Sequence, residues 1–141
     1  MTPEISVDNR QRLVRLDLGA LRDFAKRALD KCLEIPGRKS ALSALSEVNV
    51  ILVSDRRIAE VHRRFMDEPD PTDVITFQHG EIVISTETAK RQARKFRTTV
   101  GYELRLYVVH GLLHLHGFDD KTPAGAAEMK RVQERVVASL P

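Results

Sequence analysis

The sequence predicts an α+β fold, a small mixed four-stranded sheet packed with about five helices, and three observations carry that expectation. Short β-branched runs alternate with segments of helical apolar period. Two of those runs are joined by only Gln78-His79-Gly80, too short a link for anything but an antiparallel pair. The stretch Val100 to His116 is apolar on nearly every side, which predicts a central, mostly buried helix.

Ile5 and Val7 alternate with Glu4, Ser6 and Asp8, so a short half-buried strand is expected, ending at Asn9. Asp17 is the N-cap expected for a helix carrying Leu18, Leu21, Ala25, Ala28, Leu29 and Cys32 at helical spacing, and Pro36-Gly37 ends the pattern. Arg38 to Ser43 reads as linker, and Glu47 to Val53 as a buried strand. Ser54-Asp55 opens a second helix with Ile58, Val61, His62 and Phe65 expected on its inner face, His62 as a packing or helix-end histidine. Strands follow at Asp73 to Phe77 and Glu81 to Ser85, then a basic helix at Thr86 to Phe96, the central helix, and a last amphipathic helix from Ala124 to Leu140. In the basic helix Lys90, Arg91, Arg94 and Lys95 form a stripe that is either a solvated face or a track for phosphates.

At 141 residues and 42% apolar composition the chain suits one domain, residues 1–141, with a core that needs no staples. One cysteine excludes an internal disulfide framework, and neither a bilayer-spanning run nor a signal-peptide pattern is present, so cytoplasmic residence without membrane contact is expected. A net charge of +3 is compatible with a polyanionic partner but does not require one.

The chemistry concentrates in Val108 to Asp120, V-V-H-G-L-L-H-L-H-G-F-D-D. His110 and His114 stand one helical turn apart, which projects both imidazoles from one face about 40° apart. Gly117 lets the helix end and the chain turn Asp119 and Asp120 back towards them. His110, His114 and Asp120 then supply two nitrogens and one oxygen, leaving a tetrahedral ion an open position. The expected ion is zinc, with manganese or iron(II) admitted by the oxygen ligand. His116 lies about 200° around the helix from His114 and is read as non-ligating. Asp119 orients a ligand histidine or caps the loop.

With these motifs on the page, the chain resembles the YbeY family of bacterial metal-dependent endoribonucleases implicated in ribosomal RNA maturation. The likeness rests on P-T-D-V-I-T-F at Pro71 to Phe77, G-E-I-V-I-S at Gly80 to Ser85, H-G-L-L-H-L-H-G-F-D-D at His110 to Asp120, and Glu128-Met129. It implies one zinc-bound domain of one sheet and several helices, cytoplasmic, acting on single-stranded ribosomal RNA associated with the small ribosomal subunit. Two positions depart from the family. Asp120 stands where the third ligand is usually histidine, and Met66 stands where an arginine usually precedes P-T-D, with Arg63 and Arg64 near enough in sequence to substitute.

The working expectation is a metal-dependent, single-strand-specific endoribonuclease serving ribosomal RNA maturation and ribosome quality control. His110, His114 and Asp120 hold an ion whose water or Lewis acidity serves phosphodiester cleavage. Thr72 and Asp73 position substrate or serve as turn and strand cap. Arg63, Arg64, Lys90, Arg91, Arg94 and Lys95 are the candidate RNA contacts. Two rivals stand beside it: a ribosome-assembly factor with a structural metal, and a zinc metallopeptidase, whose general-base glutamate would fall where this chain has Gly111.

Overall fold

The computed structural model describes residues 2–66 and 73–141, with Met66 described by its backbone alone. Four strands and five α-helices follow in the order β1 (Glu4–Asn9), α1 (Leu18–Glu34), β2 (Glu47–Val53), α2 (Asp55–Met66), β3 (Val74–Phe77), β4 (Glu81–Ser85), α3 (Thr86–Phe96), α4 (Val100–Leu115) and α5 (Pro123–Ser139). The sheet runs β1-β2-β4-β3 and is mixed. β1 pairs parallel with β2, from Glu4 opposite Glu47 to Asn9 opposite Leu52, because the chain returns through the crossover helix α1. β2 pairs parallel with β4, and β3 pairs antiparallel with β4 through the tight Gln78-His79-Gly80 link. Gly80 takes φ of 112°, a conformation open to glycine at little cost, and its N–H closes the turn on the Phe77 carbonyl at 2.9 Å.

Side-chain alternation divides the core between the two faces of the sheet. Val48, Val50, Leu52, Ile82 and Ile84 join α1, α4 and α5 in the main cluster. Ile51, Val53, Ile75 and Val83 face the other way and pack with Ile58 and Val61 of α2. Nine of the sixteen residues of α4 are buried, so this helix lies at the centre, between α1, α3 and α5 and against β3 and β4. α4 comes tightly against the sheet at Gly111, where a Cβ would stand 2.6 Å from Ile82 Cγ2.

Two sequence expectations need correction. Ile58 is fully buried, but Phe65 is 61% exposed, because by the last turn α2 has run past the face it covers; its ring meets Phe77 edge to face at 5.5 Å and carries the Arg64 guanidinium at 5.6 Å. The segment read as linker holds a 3-10 turn, Leu42–Ala44, whose Leu42 is completely buried. No helix among the described residues is long and apolar enough to cross a membrane.

Candidate metal centre

α4 begins at the N-cap Thr99, whose hydroxyl accepts from the Tyr102 N–H, and presents His110 and His114 on its half-open flank. The return of the chain to these imidazoles is built from contacts distant in sequence. The His116 imidazole is buried; its Nε2 donates to the Ile35 carbonyl at 2.6 Å, so Nδ1 is left to accept from Ser40 Oγ at 2.7 Å. The backbone is clasped in the same place, with the Arg38 N–H donating to the His116 carbonyl at 3.0 Å. Gly117 follows with φ of 102°, and a Cβ there would overlap the Arg38 carbonyl oxygen at 1.8 Å, so the turn needs glycine on both conformational and steric grounds. Arg38 then lays its guanidinium 4.4 Å from the centre of the Phe118 ring and forms a two-pronged pair with Glu128 of α5, at 2.6 and 2.8 Å. The loop that carries Asp120 is thereby held between α5 and the segment after α1.

The structure brings His110, His114 and Asp120 together. Asp120 Oδ2 lies 3.7 Å from His110 Nε2 and Oδ1 lies 3.6 Å from His114 Nε2. One donor atom from each of the three falls within 4.8 Å of the other two, a spacing an ion at ordinary zinc–ligand distances can bridge after small adjustment. The His110 Nδ1–H donates to Gln133 Oε1 at 3.0 Å, which fixes the tautomer that leaves the Nε2 lone pair facing Asp120. Burial, and then the neighbouring His110, lower the His114 pKa against the opposing pull of Asp120, which favours the neutral form of this imidazole, the form that can ligate. The Thr76 hydroxyl adds a further mark of fit. It is buried without a hydrogen-bond partner and lines, with His62, His110 and His114, a cavity of about 200 Å³ that a polar guest would satisfy.

On its other side His110 opens into a larger cleft of about 540 Å³, which Asp73 and Asp120 also line. Asp73 is anchored by its backbone carbonyl, which accepts from the Ser85 N–H, and its carboxylate accepts from the Val74 N–H at 2.8 Å, so it caps β3 while standing at the mouth of the cleft. Thr72 lies outside the described residues, as does the side chain of Met66. Asp119 accepts from the Lys121 N–H and so caps the loop. Within the basic stripe, Arg91 is bonded to the Asp55 carboxylate and to Thr88 Oγ1, whereas Lys90 and Arg94 point about 160° around α3 from Gln92, the residue that faces the cleft. Lys95, about 60° from Gln92, is the member of the stripe nearest that opening. Arg63 and Arg64 occupy the last turn of α2, both exposed.

Sequence reasoning missed Gln133, Arg38 and Thr76. The signal for Gln133 was a polar residue one turn beyond Met129 on the inner flank of α5; nothing local marked Arg38. Gly111 bears on the peptidase rival. A side chain at that position is driven into Ile82 of the sheet, not towards the imidazoles, so α4 has no room for the base that chemistry needs.

Three comparisons with known proteins agree. The family model for endoribonuclease YbeY matches residues 6–141. An endoribonuclease YbeY from Anaeromyxobacter sp. (strain Fw109-5) is 42% identical over 96 residues, covering 61% of this chain and 50% of the relative, so the chain spans about half the length of that protein. One from Moorella thermoacetica is 33% identical over 131 residues, 79% of this chain and 84% of the relative. Among solved structures, the solution structure of TM1509 from Thermotoga maritima superposes with a TM-score of 0.66 at 29% identity, over 96% of this chain and 88% of that one.

Proposed function

Since the chain belongs to the endoribonuclease YbeY family, we propose that it is a metal-dependent endoribonuclease that cuts single-stranded RNA during ribosomal RNA maturation and ribosome quality control, in the cytoplasm and on the small ribosomal subunit. The observation that carries the metal-dependent reading is the convergence of His110, His114 and Asp120 within 4.8 Å, at a place where two cavities meet. His110, His114 and Asp120 would hold a divalent ion, zinc or alternatively manganese or iron(II), which when bound would supply Lewis acidity towards a phosphoryl oxygen and acidify water. The chain's own groups do the rest. Gln133 keeps His110 in the ligating tautomer, and Asp120 offsets part of the ion's charge while bridging the two imidazoles. Asp73, at the head of β3, and Thr72, the residue before it in sequence, position the substrate. Lys95 draws the phosphate backbone to the rim of the cleft, Arg63 and Arg64 of α2 and, from the far side of α3, Lys90 and Arg94 add longer-range attraction, and Arg91 contributes once its pair with Asp55 is exchanged for a phosphate.

The test is cleavage of a labelled single-stranded RNA and of the same sequence in duplex, by the purified chain with zinc or manganese. Cutting confined to the single strand and lost in His114→Ala is expected. Replacing Arg91, Arg94 and Lys95 together should flatten the fall of RNA affinity with salt, because each lost phosphate contact reduces the slope by about one. Cleavage that survives in His114→Ala would place the chemistry elsewhere.

A further inference from the structure

The larger cleft extends well beyond His110 and Asp120, and the metal centre does not account for its far half. From the imidazole it runs past Leu106 and Tyr107 to Tyr102 and Phe96. The whole chain has only five phenylalanines and two tyrosines, yet these two rings are left open to solvent, Phe96 at 59% and Tyr102 at 38%. They come from different elements, the end of α3 and the start of α4, and meet at one opening. Tyr102 precedes His110 by eight residues on α4, which sets it about 12 Å along the helix axis from the candidate metal ligand.

Charge decides which part of an RNA belongs in that arm. Glu103, Asp120 and Glu134 line the cleft, with Lys130 the one lysine or arginine among its described lining residues, so away from a bound ion a phosphate is repelled from the interior. A neutral, flat, hydrogen-bonding group is not. Aromatic faces stack on any base, and two amides stand ready for its edge: Gln92, and the Gln133 NH2 left over when Oε1 accepts from His110. The backbone has its own place on the rim, where Lys95 Nζ sits 5.4 Å from the centre of the Phe96 ring.

We propose that this arm is a nucleobase subsite: an unpaired base of the RNA enters the cleft and stacks on Phe96 and Tyr102, its phosphates remaining outside near Lys95. The assignment rests on the endoribonuclease reading and deepens it, because a base held in a duplex cannot leave its stack to enter. Single-strand preference is then a property of the Phe96–Tyr102 arm and not of the metal ligands. Gln133 touches both parts, so a base bound at its amide nitrogen also steadies the oxygen that orients His110.

The experiment uses the full zinc-loaded chain and a short single-stranded RNA carrying 2-aminopurine, whose fluorescence reports stacking and is read on mixing, before substrate is consumed. Binding should change the fluorescence of the wild-type complex. Phe96→Ala and Tyr102→Ala should each weaken affinity by about 5- to 150-fold and remove most of the fluorescence change, the range expected for loss of one base–aromatic stack. Phe96→Tyr should restore both, and Phe96→Leu, which keeps apolar bulk without a ring, should not. Leu13→Ser, another exposed apolar side chain outside the cleft, is the control and should match wild type. Absence of a fluorescence change in wild type, or alanine variants that bind and report as wild type does, overturns the subsite. Failure of the metal-loaded wild type to cut single-stranded RNA would instead overturn the activity itself, so the two failures are distinguishable.

Discussion

Asp120 divides its carboxylate between two imidazoles, one oxygen 3.6 Å from His114 Nε2 and the other 3.7 Å from His110 Nε2. A carboxylate there offsets one unit of an ion's charge, which a third imidazole would not do. The Gln133 amide acts one step further out, by holding the His110 ring in the tautomer that ligates. Gln133→Leu should therefore lower zinc affinity by about 10- to 100-fold while leaving the fold intact. Asp120→Ala, which removes a ligand outright, should lose more. Metal content after dialysis against a graded competitor checks both, and a Gln133→Leu protein that retains zinc as wild type does would reduce the glutamine to a packing residue. The histidine pair was legible in the sequence because its geometry is local, one turn of one helix. Gln133 was not, since its partner is 23 residues away on another helix and only the packing of α4 on α5 joins them.

At the scale of elements, the N-termini of α2 and α3 are tied together by Asp55. Its carboxylate accepts from Ser85 Oγ at 2.6 Å, from Thr88 Oγ1 at 2.8 Å and from Arg91, and the Asp55 N–H donates back to Glu87 Oε1 at 2.9 Å. Partial burial pushes the Asp55 pKa up, but the bonds from Arg91, Ser85 and Thr88 outweigh it and hold the carboxyl below its ordinary value. A depressed folded-state pKa means that the unfolded chain takes up the proton first as pH falls. The stabilisation is thus complete above the unfolded pKa of about 4 and is lost as pH drops through the folded value. Arg91→Ala should cost about 1 kcal/mol at neutral pH, the solvent-exposed side of the pair being screened, and should make the loss of stability below about pH 4 less steep. Urea unfolding of both proteins across that range measures it, and superimposable acid limbs would remove Arg91 from the account. Periodicity and caps had outlined α2 and α3, but a run of basic residues looks the same from the sequence whether it faces solvent, phosphate or a buried-edge carboxylate. Phe65 escaped for a similar reason, because helical period marks a face and cannot say where the sheet beneath it stops.

Across the whole molecule, the mixed sheet and the buried central helix were legible, the first from a three-residue link and a crossover helix, the second from an apolar run with no polar side. The strand order β1-β2-β4-β3 was not, because β1 finds its partner 43 residues further along and nothing local specifies it. That same long-range core fixes how the protein should respond to losing its metal. Leu104, Val108, Val109, Leu112, Leu113 and Leu115 of α4 are buried among α1, α5 and the sheet, whereas the candidate ligands sit on the half-open flank of the helix. The loop to Asp120 has its own fastening through His116, Gly117 and the Arg38–Glu128 pair, none of which involves the ion. Chelation should consequently leave the far-ultraviolet circular dichroism and a single cooperative melt in place. The melting temperature should fall by roughly 5 to 10 °C, the displacement expected for a domain of this size when a ligand present at about 100 times its dissociation constant, contributing about 2.7 kcal/mol, is withdrawn. Adding zinc back should restore both melting temperature and cleavage. A chelated chain that is already unfolded at room temperature would show that the ion builds the fold, and the reading of His110, His114 and Asp120 as a site kept open for chemistry would fall with it.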